Sequence, residues 1–339
     1  MEPITKKKTN KKPRSRVLIT ILSVYFLSLA MCFWISYQII AAEAHVRYTG
    51  MINIAAAKIA NTIKGMERSA NNVFDEVSKQ MDTPNAVINA LRSKSDLNAE
   101  VRGYFAAFEP NYFPEMGRWF EPYVHQADTT GEYSVRQVGS ARHNYFKSEW
   151  YVRAKEAKHA LWSEPYYYYD GTSISGHYTT FVKPIYDAKG KLMCICGADM
   201  TFEWLAKELA DMDEMNKNNI MMSKYRMFRD LDFYTVILDH DGTCIASPEG
   251  KAASTSDEKV VSDLTEGKYG IAKMVVDDEP STVYYGPIEH IDWSIAIVVP
   301  QYDILNPLLV VGGILLTIAF IGFIIIILVY RKVKYAETI

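Results

Sequence analysis

Residues 177–201, HYTTFVKPIYDAKGKLMCICGADMT, contain two largely apolar stretches on either side of a short polar turn. Their lengths and their content of apolar, aromatic and β-branched residues predict two β-strands, at 177–186 and 191–201. The turn between them, DAKG at residues 187–190, ends in a glycine that suits the left-handed position of a hairpin. The stretch therefore predicts an antiparallel hairpin within a β-sheet.

The residues around this hairpin predict helices as well as strands. Thr201 has a side chain suited to the N-cap of a helix that follows the hairpin. The elements predicted for residues 83–212 are a helix at 86–91, a strand at 103–108, a loop rich in aromatics and prolines at 109–122, a helical piece at 149–157, the hairpin, and a helix at 201–212. This mixture indicates an α+β module.

Residues 213–303 predict a second, smaller module built on the same plan. The tripeptide HDG at 240–242, between two apolar stretches, is a hairpin signal. The predicted elements are strands at 234–239, 243–247, 269–276, 282–286 and 294–299, with a short helix at 257–265. The last strand leads almost directly into an apolar run, so a movement of this sheet would be transmitted to the helix that follows.

The segment before residue 83 carries an unbroken heptad pattern. Its apolar residues recur at alternating steps of four and three, which is typical of a long helix with one apolar seam. They are Ile52, Ala56, Ile59, Ile63, Met66, Ala70, Val73 and Val77. We predict a stalk helix over residues 43–82, ending at the breaker cluster 82–85. The seam could pack along the chain's own domain or pair with a second copy in a homodimer, and the sequence favours neither.

Two uncharged runs, residues 17–42 and 308–330, are 26 and 23 residues long. A bilayer core needs about 20 residues of helix, so both runs are long enough to cross a membrane. We predict transmembrane helices at 17–42 and 304–330. The first run is about twice as long as the apolar core of a cleaved signal peptide, which favours a retained anchor.

The net charge of −3 conceals an uneven distribution along the chain. The tails at 1–16 and 331–339 are basic, whereas the residues between them carry 27 basic and 38 acidic side chains. By the positive-inside rule, we expect both tails to be cytoplasmic and residues 43–303 to be exported. The same balance gives no indication of a nucleic-acid-binding surface.

The order of membrane helix, long helix, larger module, smaller module and membrane helix resembles the double Cache (dCache) sensor domain of bacterial chemoreceptors, sensor histidine kinases, and membrane-bound phosphatases and cyclases. The resemblance covers residues 43–303. Its most specific motifs are EWY at 149–151, WSEPY at 162–166, TT at 179–180, KPIYD at 183–187 and GAD at 197–199. It implies two PAS-like antiparallel-sheet modules, with 83–212 membrane-distal and 213–303 membrane-proximal, anchored in a bacterial plasma membrane. It also implies a ligand site beneath the distal hairpin.

Amino-acid-binding members of this family grip the ligand carboxylate with an arginine two residues before a Trp-Tyr pair. They hold the ligand ammonium with a later tyrosine and an aspartate. By this resemblance, the matching positions here are Trp150, Tyr151, Tyr166 and Asp199, but Ser148 stands at the arginine position. A hydroxyl cannot replace the bidentate hydrogen bonds of a guanidinium. The remaining aromatic cage with a carboxylate suits a cation, so we expect a small amine in preference to an amino acid.

The run YYYYD at residues 166–170 extends the candidate site. In an extended segment alternate residues share one face, so Tyr168 and Asp170 would join the first tyrosine in the pocket. The two tyrosines between them would face the other way. Phe120 and Tyr123 are further candidates, as contributors to a lid.

Motifs of catalysis are absent from the sequence. It has no Gly-rich phosphate loop, no nucleophile elbow and no HExxH, which argues against an enzyme. Its seven histidines are scattered, so neither a metal nor another cofactor is predicted. Nine residues follow the second apolar run, so we expect the output domain to be missing or to be supplied by a cytoplasmic signalling partner.

Two functions remain open at this stage. The first is the ligand-binding sensor portion of a transmembrane receptor. The second is a membrane-anchored interaction protein that binds a protein partner, with a degenerate pocket in which the aromatics are ordinary core residues. A polar-lined cavity with Asp199 facing Trp150 would favour the sensor, whereas complete filling of that space by aromatic side chains would favour the interaction protein.

Overall fold

A computed structural model of the chain describes residues 14–95, 98–126, 133–169, 175–222, 231–251 and 253–336. The helices in these residues are α1 (Arg14–Lys79), α2 (Pro84–Ser93), α3 (Glu149–Ala157), α4 (Phe202–Met222), α5 (Glu258–Thr265) and α6 (Gln301–Ala336). The strands are β1 (Gly103–Phe108), β2 (Pro122–Gln126), β3 (Tyr133–Gln137), β4 (Leu161–Trp162), β5 (Tyr166–Tyr168), β6 (Gly176–Tyr186), β7 (Leu192–Thr201), β8 (Tyr234–Asp239), β9 (Cys244–Ala246), β10 (Gly270–Val276), β11 (Glu279–Pro287) and β12 (Trp293–Pro300). They form two antiparallel sheets, so the predicted α+β class is confirmed.

The predicted hairpin forms the middle of the distal sheet. This sheet has the order β3-β2-β1-β7-β6-β4, and β5 also pairs with β6. In the turn between β6 and β7, the Asp187 carboxylate accepts hydrogen bonds from the backbone N–H groups of Lys189 and Lys191, both at 2.8 Å. Gly190 has φ +78°, the left-handed conformation that the turn required. The sequence prediction of this hairpin is therefore confirmed.

Strands β2 and β3 were not predicted. The predicted loop at 109–122 ends where β2 begins, and β3 follows at the edge of the sheet, beyond β2. The strand β3, with sequence YSVRQ, has only partly buried or exposed side chains. An edge strand of this kind has little apolar alternation, so its sequence gives no clear strand signal.

The stalk part of α1 shows where the heptad seam packs. All eight residues of the heptad seam are buried in the chain's own core, against both sheets. Phe74 of α1, for example, stacks on Phe181 of β6 with ring centroids 6.2 Å apart. The helix ends at Lys79, and Thr83 then caps α2 by accepting a hydrogen bond from the Ala86 N–H at 3.2 Å. The seam thus packs within the chain.

The proximal sheet has the order β10-β11-β12-β8-β9, with α5 on one face and α1 on the other. Helix α4 is longer than predicted: it begins after the Thr201 cap and continues to Met222 rather than ending at residue 212. Within this extension, Asp213 accepts hydrogen bonds from the N–H and hydroxyl of Thr235 on β8, at 2.7 and 2.5 Å. The predicted boundary at 212/213 therefore lies inside a helix that joins the two sheets.

The N-terminal part of α1 and most of α6 are long and apolar enough to cross a membrane, and they expose their apolar side chains. The two helices contact each other: the Tyr25 hydroxyl donates a hydrogen bond to the Ile318 carbonyl at 2.6 Å. Helix α6 begins directly after β12, and its Asp303 carboxylate accepts hydrogen bonds from the N–H groups of Asp232 and Phe233, at 2.9 and 3.0 Å. The start of α6 is thus joined firmly to the proximal sheet.

Candidate functional site

A chamber of about 40 Å³ lies between the distal sheet, α3 and β5; we call it the inner chamber. Its aromatic wall consists of Phe105, Tyr123, Trp150, Tyr166, Tyr168 and Tyr178. Two carboxyl groups, those of Glu121 and Asp199, also face it. A wider outer cleft of about 1010 Å³ shares wall residues with the chamber, among them Trp150 and His143. A small polar group fits the inner chamber, and the remainder of a ligand would lie in the cleft.

Two glycines in the central strands make room for the aromatic wall. Gly103 of β1 lies opposite Asp199 of β7, and a Cβ at residue 103 would be 2.6 Å from the Tyr123 hydroxyl. A Cβ at Gly197 would be 2.1 Å from the Phe105 ring. Any larger side chain at either position would therefore displace the ring that covers it. The glycines bring the rings of the inner chamber down onto the sheet, beside Asp199.

Asp199 accepts a hydrogen bond from the Thr180 hydroxyl at 2.6 Å, and Thr180 lies 2.7 Å from the Tyr166 hydroxyl. Because Thr180 has one hydroxyl proton and gives it to Asp199, Tyr166 must be the donor to Thr180. The Asp199 side chain is only 7% exposed. Burial raises its pKa to about 6, although hydrogen bonds from neighbouring hydroxyls oppose the shift. Near neutral pH, Asp199 therefore presents a desolvated negative charge.

Trp150 covers the chamber from α3. Its ring lies 5.0 Å from Phe105 and 6.5 Å from Tyr145, between centroids. Ser148, at the N-cap position of α3, lines the outer cleft close to Trp150 in the chain. The position where the resemblance would place an arginine thus does border the site, and it carries a hydroxyl.

The sequence analysis did not identify Glu121. Its side chain is 3% exposed, and within the described residues its Oε2 atom has no hydrogen-bond partner. His143 Nε2 lies 3.5 Å from that oxygen. Burial, and then the charge of Asp199, raise the pKa of Glu121 well above its usual range. The available signal was an acidic residue within the apolar stretch WFEPYV at 119–124, immediately before a strand.

The structure brings together four of the six predicted site residues: Trp150, Tyr166, Tyr168 and Asp199 line the inner chamber. The prediction for Tyr151 needs correction. Tyr151 points away from the chamber, and its hydroxyl donates to Glu109 Oε1 at 2.6 Å. Successive residues of a helix project about 100° apart, so Tyr151 points in a different direction from Trp150. Asp170 lies outside the described residues.

Of the other aromatic residues predicted near the site, some lie where the sequence placed them and one does not. The tyrosines between the pocket positions, Tyr167 and Tyr169, are 57% and 73% exposed, so they face outward as predicted. Tyr123 reaches the inner chamber. Phe120 does not, because its ring packs in the main core against Phe108 and Phe113.

Residues 36–308 match the model of the Cache domain family. The chain belongs to the Cache domain family. Cache sensor domains bind ligands and are not catalytic, so family membership confirms the prediction that this chain is not an enzyme. The predicted resemblance to double Cache sensors, with two PAS-like modules, is confirmed as well.

Solved Cache sensor domains share the fold of this chain. The periplasmic sensory domain of the Campylobacter jejuni chemoreceptor Tlp1 matches with a TM-score of 0.61 and 14% identity, covering 79% of this chain and 99% of Tlp1. The extracellular domain assigned to the histidine kinase mmHK1S-Z3 matches with a TM-score of 0.61 and 19% identity, and the match covers 78% of this chain and 97% of that domain. The ligand-binding domain of the Pseudomonas fluorescens chemoreceptor CtaA, in complex with L-isoleucine, matches with a TM-score of 0.54 and 15% identity. This match covers 80% of this chain and 98% of that domain. No curated protein matches the sequence significantly.

One group of side chains outside the chamber has the composition of a metal site. Ligand atoms of Glu164, Asp239 and His240 lie within 4.8 Å of one another at the surface. Their contacts have a simpler explanation: Glu164 pairs with Arg153 at 2.6 Å, and Asp239 pairs with His240 Nδ1 at 2.8 Å. These ion pairs account for the arrangement without a metal.

Proposed function

We propose that this Cache protein is the ligand-binding sensor portion of a bacterial transmembrane receptor, and that its distal module binds a small amine in preference to an amino acid. The observation that carries the proposal is Asp199, a buried carboxylate that faces an aromatic chamber. Neighbouring hydroxyls hold it in place. An ammonium group in the chamber would gain an ion pair with Asp199 and contact with the faces of Trp150 and Tyr166.

The chamber also distinguishes this proposal from that of an interaction protein with a degenerate pocket. Aromatic packing does not fill the space beneath β5, and Asp199 and Trp150 line the same opening. Burying an ionisable carboxyl group in an apolar wall is unfavourable unless it gains a partner. A cationic ligand would supply that partner.

Residue 148 supports an amine over an amino acid. Ser148 borders the outer cleft, where it offers one hydroxyl to a ligand carboxylate instead of a guanidinium fork. Arg136 and Arg142 also line the cleft, on the side of β3. An amino acid would have to reach one of these arginines while its ammonium remains at Asp199, so the two ligand classes predict different critical residues.

Ligand binding would reach the membrane through the stalk. Two strands beside the chamber are tied to α1. Trp162 Nε1 of β4 donates to Glu67 Oε1 at 2.8 Å, and Lys183 Nζ of β6, the strand that carries Thr180, donates to Asn71 Oδ1 at 2.9 Å. Closure of these strands over a ligand would displace α1 relative to α6. Such a signal requires that the ligand bind one of the two conformations more tightly.

The apolar lengths and the basic tails support a two-span topology with both termini in the cytoplasm and residues 43–303 exported. A homodimer would have to use surfaces other than the buried heptad seam. A cytoplasmic partner or an output domain outside this chain would receive the signal.

The test is a thermal-stability screen of the 339-residue chain in lipid nanodiscs against amines, amino acids and carboxylates. A ligand at 100 times its Kd should stabilise the protein by about 2.7 kcal/mol. We expect amines to give the largest shifts. A shift with amino acids alone, lost in Arg142→Ala, would identify a carboxylate-gripping site instead. If no compound shifts the melting temperature, the interaction protein becomes the better explanation.

The signalling step has its own measurement. Hydrogen exchange of the stalk amides at 43–79 and of the α6 start at 301–306 should change when an amine binds. Unchanged exchange in both segments at saturating ligand would contradict helix displacement.

A further inference from the structure

Two carboxyl groups, rather than one, face the inner chamber, and they approach it from different walls. Asp199 lies on β7, opposite Gly103 at the start of β1. Glu121 immediately precedes β2, on the other side of β1, where the Phe108 N–H donates to the Phe120 carbonyl at 3.0 Å. The backbone positions of the two residues therefore lie on opposite sides of β1 and towards opposite ends of it, and their side chains meet at the inner chamber.

Glu121 has the properties of a binding group. It is almost completely buried, and its Oε2 atom is an unpaired acceptor within the described part of the chain. The Tyr123 hydroxyl lies in the same chamber, where it is a neighbour of Asp199. Buried polar atoms are nearly always hydrogen-bonded, so a carboxylate oxygen without a hydrogen bond, in a chamber that a second carboxyl group also lines, indicates a ligand that offers several N–H groups.

We infer that the inner chamber recognises a guanidinium group, with Asp199 and Glu121 as acceptors on two edges of its plane and Trp150 against its face. The inference rests on the proposed function and specifies the class of cation. A guanidinium holds five N–H donors in a rigid planar fork, so it can donate hydrogen bonds to two carboxylates on separate walls at the same time. An ammonium directs all its donors from a single nitrogen.

The aromatic wall favours the same group. A guanidinium is more weakly hydrated than an ammonium and stacks on aromatic faces, so it loses less when it enters a chamber lined by Trp150 and Phe105. The space of about 40 Å³ admits a flat head group of a few atoms. It does not admit two ammonium groups together with the chain that joins them.

The outer cleft gives no support for a second ammonium. A linear diamine would extend out of the chamber into the cleft, where Arg136 and Arg142 form part of the wall. The glutamates of that wall, Glu149 and Glu164, are both paired with Arg153, at 2.8 and 2.6 Å. Charge in the cleft therefore favours a neutral or anionic outer end of the ligand.

Binding should release a proton. Burial and the charge of Asp199 raise the pKa of Glu121 well above its usual range, which favours its protonated form in the empty chamber. The other titratable groups that face it are His143, Tyr145 and Tyr166. A bound guanidinium favours the ionised carboxylate, so guanidinium affinity should increase with pH.

The experiment compares n-butylguanidine with n-butylamine by isothermal titration calorimetry, on the full chain in nanodiscs. We expect butylguanidine to bind at least about tenfold more tightly, since it gains a charge-assisted hydrogen bond to Glu121. Glu121→Gln should reduce the ratio of the two affinities to about one. Glu115→Gln, at an exposed glutamate, is the matched control and should leave the ratio unchanged. Titrations in buffers of different ionisation enthalpy should show proton release with butylguanidine, and the release should disappear in Glu121→Gln.

The outcomes separate this inference from the proposed function. Equal affinities for the two compounds in the unmodified chain would overturn the guanidinium assignment and leave an amine site intact; this comparison does not depend on any variant folding. Tighter binding of 1,4-diaminobutane than of butylguanidine would overturn it in favour of a diamine. If neither compound binds, both proposals fail.

Discussion

A short helix covers one face of each sheet in this protein, but the side chains buried between helix and sheet differ between the two modules. In the distal module, α3 lies over the sheet and encloses aromatic rings together with Asp199 and Glu121. In the proximal module, α5 lies over the sheet and packs Val260 and Leu264 against an aliphatic surface that includes Val283. One module buries ionisable groups beneath its helix, and the other buries mainly hydrocarbon.

The proximal module places its carboxylates where partners are available. Asp213 receives two hydrogen bonds from Thr235, and Asp263, which is only partly buried, receives one from the Tyr285 hydroxyl at 2.8 Å. Glu121 in the distal module lacks such a partner among the described residues. Because an unpaired buried carboxyl lowers stability, this difference supports the proposal that the ligand binds in the distal module.

The largest expected effect is on ligand affinity, and it distinguishes Asp199 of the distal module from Asp213, a buried aspartate that binds the proximal sheet. Asp199→Asn should weaken amine binding at least about 100-fold, because the ligand cation loses its counter-charge. The variant should be no less stable than the original, since it removes a desolvated charge. Calorimetry and thermal unfolding of the full chain measure both effects. Unchanged amine affinity in this variant would remove the functional contrast between the modules.

The proximal counterpart, Asp213→Asn, should show the opposite pattern. The asparagine oxygen can accept from the Thr235 N–H and its NH2 group can donate to the Thr235 hydroxyl, but both hydrogen bonds lose their charge assistance, at a cost of about 2 kcal/mol. We expect a lower melting temperature with unaltered amine affinity of the folded protein. A loss of affinity larger than the loss of stability would show that the proximal module takes part in binding.

The pH dependence of Asp199 should act on stability and on binding with opposite signs. Its pKa is raised to about 6 in the folded chain, so the folded state binds more protons than the unfolded state below pH 7. Lowering the pH from about 7 to 5 should therefore stabilise the empty protein by about 1.4 kcal/mol through this group. Over the same range, amine affinity should fall about tenfold, because the carboxylate becomes protonated.

Asp199→Asn is the control for this pH effect, and it should remove the Asp199 part of both changes. Glu121 also titrates in the chamber, and His143 lies beside it, so a residual slope in the variant reports on those groups. If amine affinity in the unmodified chain is constant from pH 7 to 5, Asp199 is not the counter-charge.

The smallest expected effect concerns two of the buried tryptophans, one in each module. Trp150→Phe should lower amine affinity about threefold to tenfold, because phenylalanine gives a weaker cation–π contact. Trp293→Phe is the matched change in the proximal module, where Trp293 packs against Phe202. It should lower stability and leave affinity unchanged. Equal effects of the two substitutions on affinity would mean that Trp150 acts through packing alone.

Much of the fold could be predicted from local patterns. The heptad seam predicted the stalk, the turn DAKG predicted the β6–β7 hairpin, and the uncharged runs predicted the helices that are long and apolar enough to cross a membrane. Each of these signals lies within one continuous stretch of chain. The strand β3 was missed because it is short and largely exposed, and its only apolar side chains are Tyr133 and Val135.

The candidate site could be predicted only in part. Trp150, Tyr166, Tyr168 and Asp199 do meet at the inner chamber, but Tyr151 is directed towards Glu109 instead. The direction of a helical side chain depends on how the helix sits on the sheet, and a list of matching positions does not contain that information.

The sequence by itself determined the order of the elements, the apolar face of the stalk and the presence of an aromatic-rich distal module, because these depend on the periodicity of neighbouring residues. Only the tertiary structure decided that Glu121 shares a chamber with Asp199. These residues are far apart in the chain and lie on either side of β1, and their proximity follows from the register of β2 and β7 against that strand. Strand register is fixed by the packing of both faces of the sheet. The second carboxyl group of the site is therefore a property of the fold.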